Sequence, residues 1–173
     1  MPGLDDRGGV RPHLERTPRR PRLDRGRHQG MTPRHEEGSP PMQTDSLKAN
    51  KELVSEFIRV FYNDKDFDRA RTMLTEDFTN HHPGAGVGPD RTVDSFREHA
   101  ATPFPDFSLT IQRMIAEDDQ VWTHGVVRVS PDAPPVIVVD LWRIEDGRLA
   151  EHWDVGQAVP EGSTLDEMIA DTR

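Results

Sequence analysis

At 173 residues the chain is long enough to bury one sizeable core, and the absence of cysteine excludes disulfides, thiolate metal sites and a cysteine nucleophile. The net charge of -9 is uneven: residues 1–42 hold nine Arg against six acids, about +3, and the remainder holds 13 Lys or Arg against 25 acids, about -12. So acidic a body argues against nucleic acid as a partner, because phosphate binding needs concentrated positive charge.

No apolar run approaches the roughly 20 residues that cross a bilayer, and the first residues lack the apolar core of a secretory signal. A cytoplasmic protein that does not enter the membrane is expected. Residues 1–43 are rich in Arg, Pro and Gly and show almost no apolar periodicity. Such a stretch cannot bury enough surface to offset its ordering entropy, so a disordered N-terminal arm is expected ahead of a domain over 44–160 and a tail over 161–173.

From Thr44 the pattern changes. Thr44, Asp45 or Ser46 can cap a helix, and Leu53, Val54, Phe57, Ile58 and Phe61 then recur at helical spacing. "NDKD" interrupts, a shorter helix is predicted through "FDRARTML", and "DFTNHH" reads as a short strand stopped by "PGAGVGPD". "TVDSFREHAAT" is a third helix closed by Pro103 and Pro105. The rest reads as strands: "FSLTIQRMIAE", "QVWTHGVVRV", "VIVVDLWRI" and "LAEHWDVGQ". Helices followed by an antiparallel meander define an α+β fold.

Asp146-Gly147 between two strand-like runs is a hairpin signal, since a type I′ turn needs positive φ at both positions. Paired without a bulge, Asp140 lies opposite Trp153 and Trp142 opposite Glu151. Val136, Val138, Asp140, Trp142 and Ile144 share one face with Glu151, Trp153 and Val155, while His152 falls on the other. A bulge at the turn would shift this pairing by one residue. Both faces of the strand around Asp140 are apolar, which suggests helices on one side and a second subunit on the other. Desolvation in such a Trp-lined cavity disfavours a charged carboxyl and suits it to taking and returning a proton near neutral pH. A buried Asp neutralised for purely structural reasons fits the spacing equally well.

His124 is expected on the neighbouring strand, opposite Asp140 if the connecting loop centres on Asp132, which would make a His–Asp pair. His81 and His82 are adjacent and point to opposite faces, although a metal site from His81, His124 and Asp140 stays open. "GAGVG" lacks the helix and lysine that a phosphate loop needs after it, and reads as a rim loop. No "GxSxG" occurs, which disfavours a serine hydrolase.

"FTNHHPGAG", "FPDFSLTIQRMIAEDDQVWTH" and "VVDLWRIEDGRLAEHWDVGQ" together resemble the SnoaL-like polyketide cyclases, within their aldol-condensation-catalysing branch, over about residues 46–160. The resemblance implies the nuclear transport factor 2-like fold, a cone of curved antiparallel sheet around helices with a pocket inside, commonly dimeric through the outer sheet face. It implies cofactor-independent acid/base chemistry on a small hydrophobic carbonyl or polyketide-like substrate, with no metal. Carried over residue by residue, Asp140 is the acid/base, His124 its partner, and Asn80 and His81 contact a substrate oxygen. Trp142 and Trp153 shape the pocket and Glu151 is a reserve carboxyl. His82 departs from the branch, which often has an amide there. A non-catalytic ligand-binding module is the alternative from another class. An epoxide hydrolase would want an Asp–Arg–Asp cluster, and Arg143 is predicted to face away from Asp140.

Overall fold

The computed structural model describes residues 41–170. The arm predicted over 1–43 therefore lies outside the described residues, except for its last three positions. These begin helix α1 (Pro41–Ile58), so the helix opens ahead of the caps proposed at Thr44 to Ser46. Ser46 instead donates its hydroxyl to the Gln43 carbonyl at 2.8 Å.

The apolar stripe read in α1 faces the core: Val54, Phe57, Ile58 and Phe61 are all buried. Each such side chain contributes about 1.5–3 kcal/mol by leaving water. The helix then widens into a π-helical turn, Arg59–Asn63. An i→i+5 turn carries one extra residue, so Val60, Phe61 and Tyr62 are consecutive and all buried. Asn63 ends it by pairing twice with Leu109, donating to the carbonyl at 3.1 Å and accepting from the amide at 2.9 Å. Helix α2 (Phe67–Thr72) follows, capped by the Asp66 side chain.

Strands β1 (Leu74–Asn80) and β2 (Gly86–Val87) form a short antiparallel ribbon. Helix α3 (Pro89–Phe96) starts with Pro89 in the first helical position, where its missing N–H costs nothing. A helix does therefore follow "GAGVG", contrary to the sequence reading, although no lysine accompanies it. A second π-helical turn, Arg97–Ala101, extends α3.

Strands β3 (Ser108–Glu117), β4 (Gln120–Arg128), β5 (Val136–Glu145) and β6 (Arg148–Ala158) form the expected meander. The full sheet has the order β2-β1-β6-β5-β4-β3, with β1 running parallel to β6. The Asp146-Gly147 turn has φ of 49° and 73°, as the hairpin signal required. Two bulges bend the β3–β6 meander. In β3 the ladder passes from Ile111↔Gly125 to Arg113↔His124, leaving Gln112 unpaired. In β6 it passes from Ile144↔Leu149 to Arg143↔Glu151, leaving Ala150 unpaired. Bulges sharpen twist and bend the strand, which curves the sheet around α1 and α3. Gly125 sits opposite the first bulge, where a Cβ would lie 3.1 Å from the Thr110 carbonyl.

The tail includes helix α4 (Leu165–Ile169), held by a Thr164/Glu167 capping box and by Arg113 donating to the Ile169 carbonyl at 2.6 Å. No helix among the described residues is long and apolar enough to cross a membrane.

Candidate active site

The bulge at Ala150 decides which residues face the interior. Beyond it Asp140 pairs with Asp154 and Trp142 with His152, while Trp153 pairs with Leu141. The extra residue reverses the alternation of β6, so His152 and Asp154 take the inner positions expected for Glu151 and Trp153. The β4–β5 connection centres between Pro131 and Asp132 instead of on Asp132, which moves the pairing by one residue, so Thr123, not His124, is opposite Asp140.

Asp140 is 3% exposed and lies against His152, equally buried, with Oδ1 3.0 Å from Nε2. Thr123 donates its hydroxyl to the other carboxyl oxygen at 3.1 Å. His152 Nδ1 lies 3.1 Å from Asn80 Oδ1, which also takes the His82 backbone N–H at 3.0 Å. That N–H can only donate, so the contacting Asn80 atom is the amide oxygen and His152 Nδ1 must carry hydrogen. A neutral ring in that tautomer offers only a lone pair at Nε2. The contact with Asp140 therefore contains one further proton, on Nε2 or on the carboxyl. Trp142 stacks beneath the His152 ring at 3.9 Å between centroids and fixes its plane, with Phe57 edge-on behind.

Asp140, His152, Asn80, His82 and Asp154 line one wall of a cavity of about 340 Å³. Phe61, Tyr62, Phe96, Thr92, Pro83 to Ala85 and His99 also line it. No lysine or arginine is among the lining residues. Burial, and then the charges of Asp140 and Asp154, hold the Tyr62 phenol well above its ordinary range, so it is a neutral donor at pH 7. The buried Thr92 hydroxyl has no partner among the described residues. Cavities of this size and largely apolar character suit small organic ligands.

Four predicted site residues lie on the outer sheet face. His124 sits 3.0 Å from Arg113, and the strand parity that brings Thr123 inward turns His124 out. His81 stacks on Trp153 at 4.5 Å and contacts Glu151 at 3.0 Å. Glu151 also accepts from Arg143 at 2.7 Å, and both contacts keep its carboxyl below the ordinary carboxylate range. His81, Trp153 and Glu151 thus form an outer cluster, and His82 takes the place at the cavity that His81 was given. A metal site from His81, His124 and Asp140 is also removed, because Asp140 faces the other way. Asp140, Asn80 and Trp142 lie on the inner side, where the sequence reading put them, and His152, Thr123, Asp154, His82 and Tyr62 join them there. Two successive buried residues in β6, Leu149 and Ala150, are the trace of the bulge that would have found His152 and Asp154.

A curved sheet wrapped on helices around an internal cavity is the nuclear transport factor 2-like architecture. A model of the SnoaL-like domain matches residues 54–152, more than half of the chain, and the chain belongs to that family. Solved structures agree on the fold. A polyketide cyclase-type protein, IdmH from Streptomyces antibioticus, is 23% identical with a TM-score of 0.54, covering 62% of this chain and 91% of its own. A ketosteroid isomerase-type protein from Kribbella flavida is 16% identical with a TM-score of 0.58, covering 73% and 90%. An epoxide hydrolase-like protein from M. tuberculosis is 22% identical with a TM-score of 0.54, covering 65% and 85%. No curated protein sequence matches the chain.

Proposed function

We propose that the protein is an enzyme that moves a proton at the carbon next to a carbonyl of a small, hydrophobic, uncharged substrate. Ring closure by intramolecular aldol reaction, or a related dehydration or isomerisation, follows from the enolate so formed. The observation that carries this reading is the buried Asp140–His152 pair, in contact at 3.0 Å and opening onto an apolar cavity. Asp140 accepts the substrate proton, with Thr123 and His152 fixing its plane. The neutral Tyr62 phenol and the Asn80 amide N–H, whose oxygen is already occupied, are the donors available to the enolate oxygen. Two carboxyl groups and no lysine or arginine in the lining disfavour an anionic substrate. The same lack of arginine weighs against an epoxide-hydrolase reading, since Arg143 is bound to Glu145 and Glu151 on the outer face.

The test is deuterium uptake at the α-carbon of α-tetralone in D₂O, followed by NMR. Asp140→Asn should abolish it. Asparagine supplies the one donor that the His152 contact needs and still accepts from Thr123, so the fold should persist while the transferable proton is lost. Wild-type uptake in this variant would remove Asp140 from the mechanism.

A homodimer through the outer face belongs to the same reading. Strand pairing aligns Ile115, Trp122, Leu141 and Trp153 in one row across β3 to β6. Ile115 is 68%, Trp122 43% and the nearby Val155 69% exposed, an apolar stripe that a second copy would cover.

A further inference from the structure

We propose that His82 and Asp154 form a second proton-handling pair at the cavity mouth, with His82 as the acid that protonates a departing substrate oxygen. The proposal rests on the acid/base reading of Asp140 given above and adds the step after enolate formation.

Asp154 is the direct cross-strand partner of Asp140, and both carboxylates line the same wall. Like charges in that relation repel, and each is compensated by its own imidazole: Asp140 by His152, Asp154 by His82. His82 Nδ1 lies 3.0 and 2.9 Å from the two Asp154 oxygens. Nδ1 is the ring nitrogen held by the carboxyl group, which leaves Nε2 outside that contact and available to a substrate. Asn80 ties the pairs together, since its side-chain oxygen accepts from the His152 ring and the His82 backbone at once.

The pairs differ in access to water. The Asp140 and His152 side chains are each 4% exposed, whereas His82 is 57% exposed. A ligand filling the cavity would seal the deep pair from solvent, while the mouth pair can still be recharged. A step that consumes a proton on oxygen therefore belongs to His82. Elimination from a β-hydroxy ketone shows the balance. The deep pair takes the α-proton, and its C–H electrons become the enolate. The C–O bond then breaks, and the oxygen leaves with the electron pair and takes the Nε2 proton of His82. The products are the enone and water. The deep pair returns its proton to solvent, and His82 takes one back. Asp154 acts through His82 and is a positioning residue.

The experiment uses the full chain and β-hydroxyindanone in D₂O, with α-deuteration and enone formation followed together by NMR. His82→Gln keeps a hydrogen bond to Asp154 but has no proton to give. It is expected to lower the ratio of elimination to deuteration about 100-fold. Asp154→Asn should lower that ratio less, in the same direction. A ratio unchanged in both variants, or equal loss of both steps in both, overturns the proposal. Elimination that persists at the wild-type rate in Asp140→Asn, or wild-type protein that neither deuterates nor eliminates, overturns the Asp140 reading beneath it instead.

Discussion

The Asp140–His152 contact predicts a particular pattern of stability in a double-mutant cycle. Each group is 3% exposed, and each depends on the other for its main polar contact. In His152→Leu the carboxyl keeps one donor, Thr123, and loses the partner that shares its proton. Removing one member of a buried pair costs about 3–5 kcal/mol, because an uncompensated polar group is left in the core. His152→Leu also loses the Trp142 stack, though leucine refills much of the volume, so about 3 kcal/mol is expected. Asp140→Leu, which strands the imidazole, is expected to cost a similar amount. In the double variant nothing polar is stranded at either position, and the loss should stay near 3 kcal/mol instead of reaching about 6, a coupling of about 3 kcal/mol. Urea unfolding reads this directly. With a slope of about 2 kcal/mol per molar, each single variant lowers the midpoint by about 1.5 M, and the double variant lowers it no further. Additivity within about 0.5 kcal/mol, or single losses under about 1 kcal/mol, would refute the shared-proton argument.

Further outcomes follow from other elements. Tyr62 is the single tyrosine of the chain, so near-ultraviolet phenolate absorbance reports on it alone. Its raised phenol makes a contribution to stability that is complete below about pH 10 and is lost as pH rises above that, because the unfolded chain ionises first. The absorbance should therefore appear with alkaline unfolding and not as a separate step near pH 10 in folded protein. Glu151 shows the opposite sign: its depressed carboxyl adds stability above its ordinary value, and this is lost as pH falls through the lower folded value. The stability gap between wild type and Glu151→Gln should be constant near neutrality and close below about pH 4. Gly147→Ala meets no neighbour within 4 Å, so its cost, about 1 kcal/mol in urea unfolding, comes from the positive φ of 73° alone. Trp122→Asp should convert a dimer to monomer in sedimentation with the far-ultraviolet circular dichroism unchanged.

What the sequence disclosed and concealed divides along one line. Element types and order were legible, because the helical stripe from Leu53 to Phe61, the alternation of the strands and the Asp146-Gly147 turn are strong local signals. Asp140, Trp142 and Asn80 were placed on the right side for the same reason. The four residues on the outer face are each one position from a residue on the inner face: His124 from Thr123, His81 from His82, Glu151 from His152 and Trp153 from Asp154. Strand parity has a period of two, so a single uncounted residue exchanges whole faces without disturbing the pattern. In β6 that residue is Ala150, small enough to be buried beside Leu149 without interrupting the apolar run. Between β4 and β5 it is the centre of a Pro-rich loop, which carries no periodicity to count. The exchange also explains why the outer face looked functional. A strand whose inner side is His152 and Asp154 presents Glu151, Trp153 and Val155 outward, where Val155 adds to the apolar stripe that the proposed dimer would cover. One bulge thus separates the two proposed uses of β6, acid/base groups on one side of the backbone and a dimer surface on the other. Deleting Ala150 should leave Trp142 opposite His152, whereas inserting one alanine after it, with the bulge kept at one residue, should exchange the faces, moving His152 away from Asp140 and turning Glu151 and Trp153 inward. Loss of α-deuteration in the insertion variant alone, in a chain that still folds, would show that the register of β6, and not its composition, places the site.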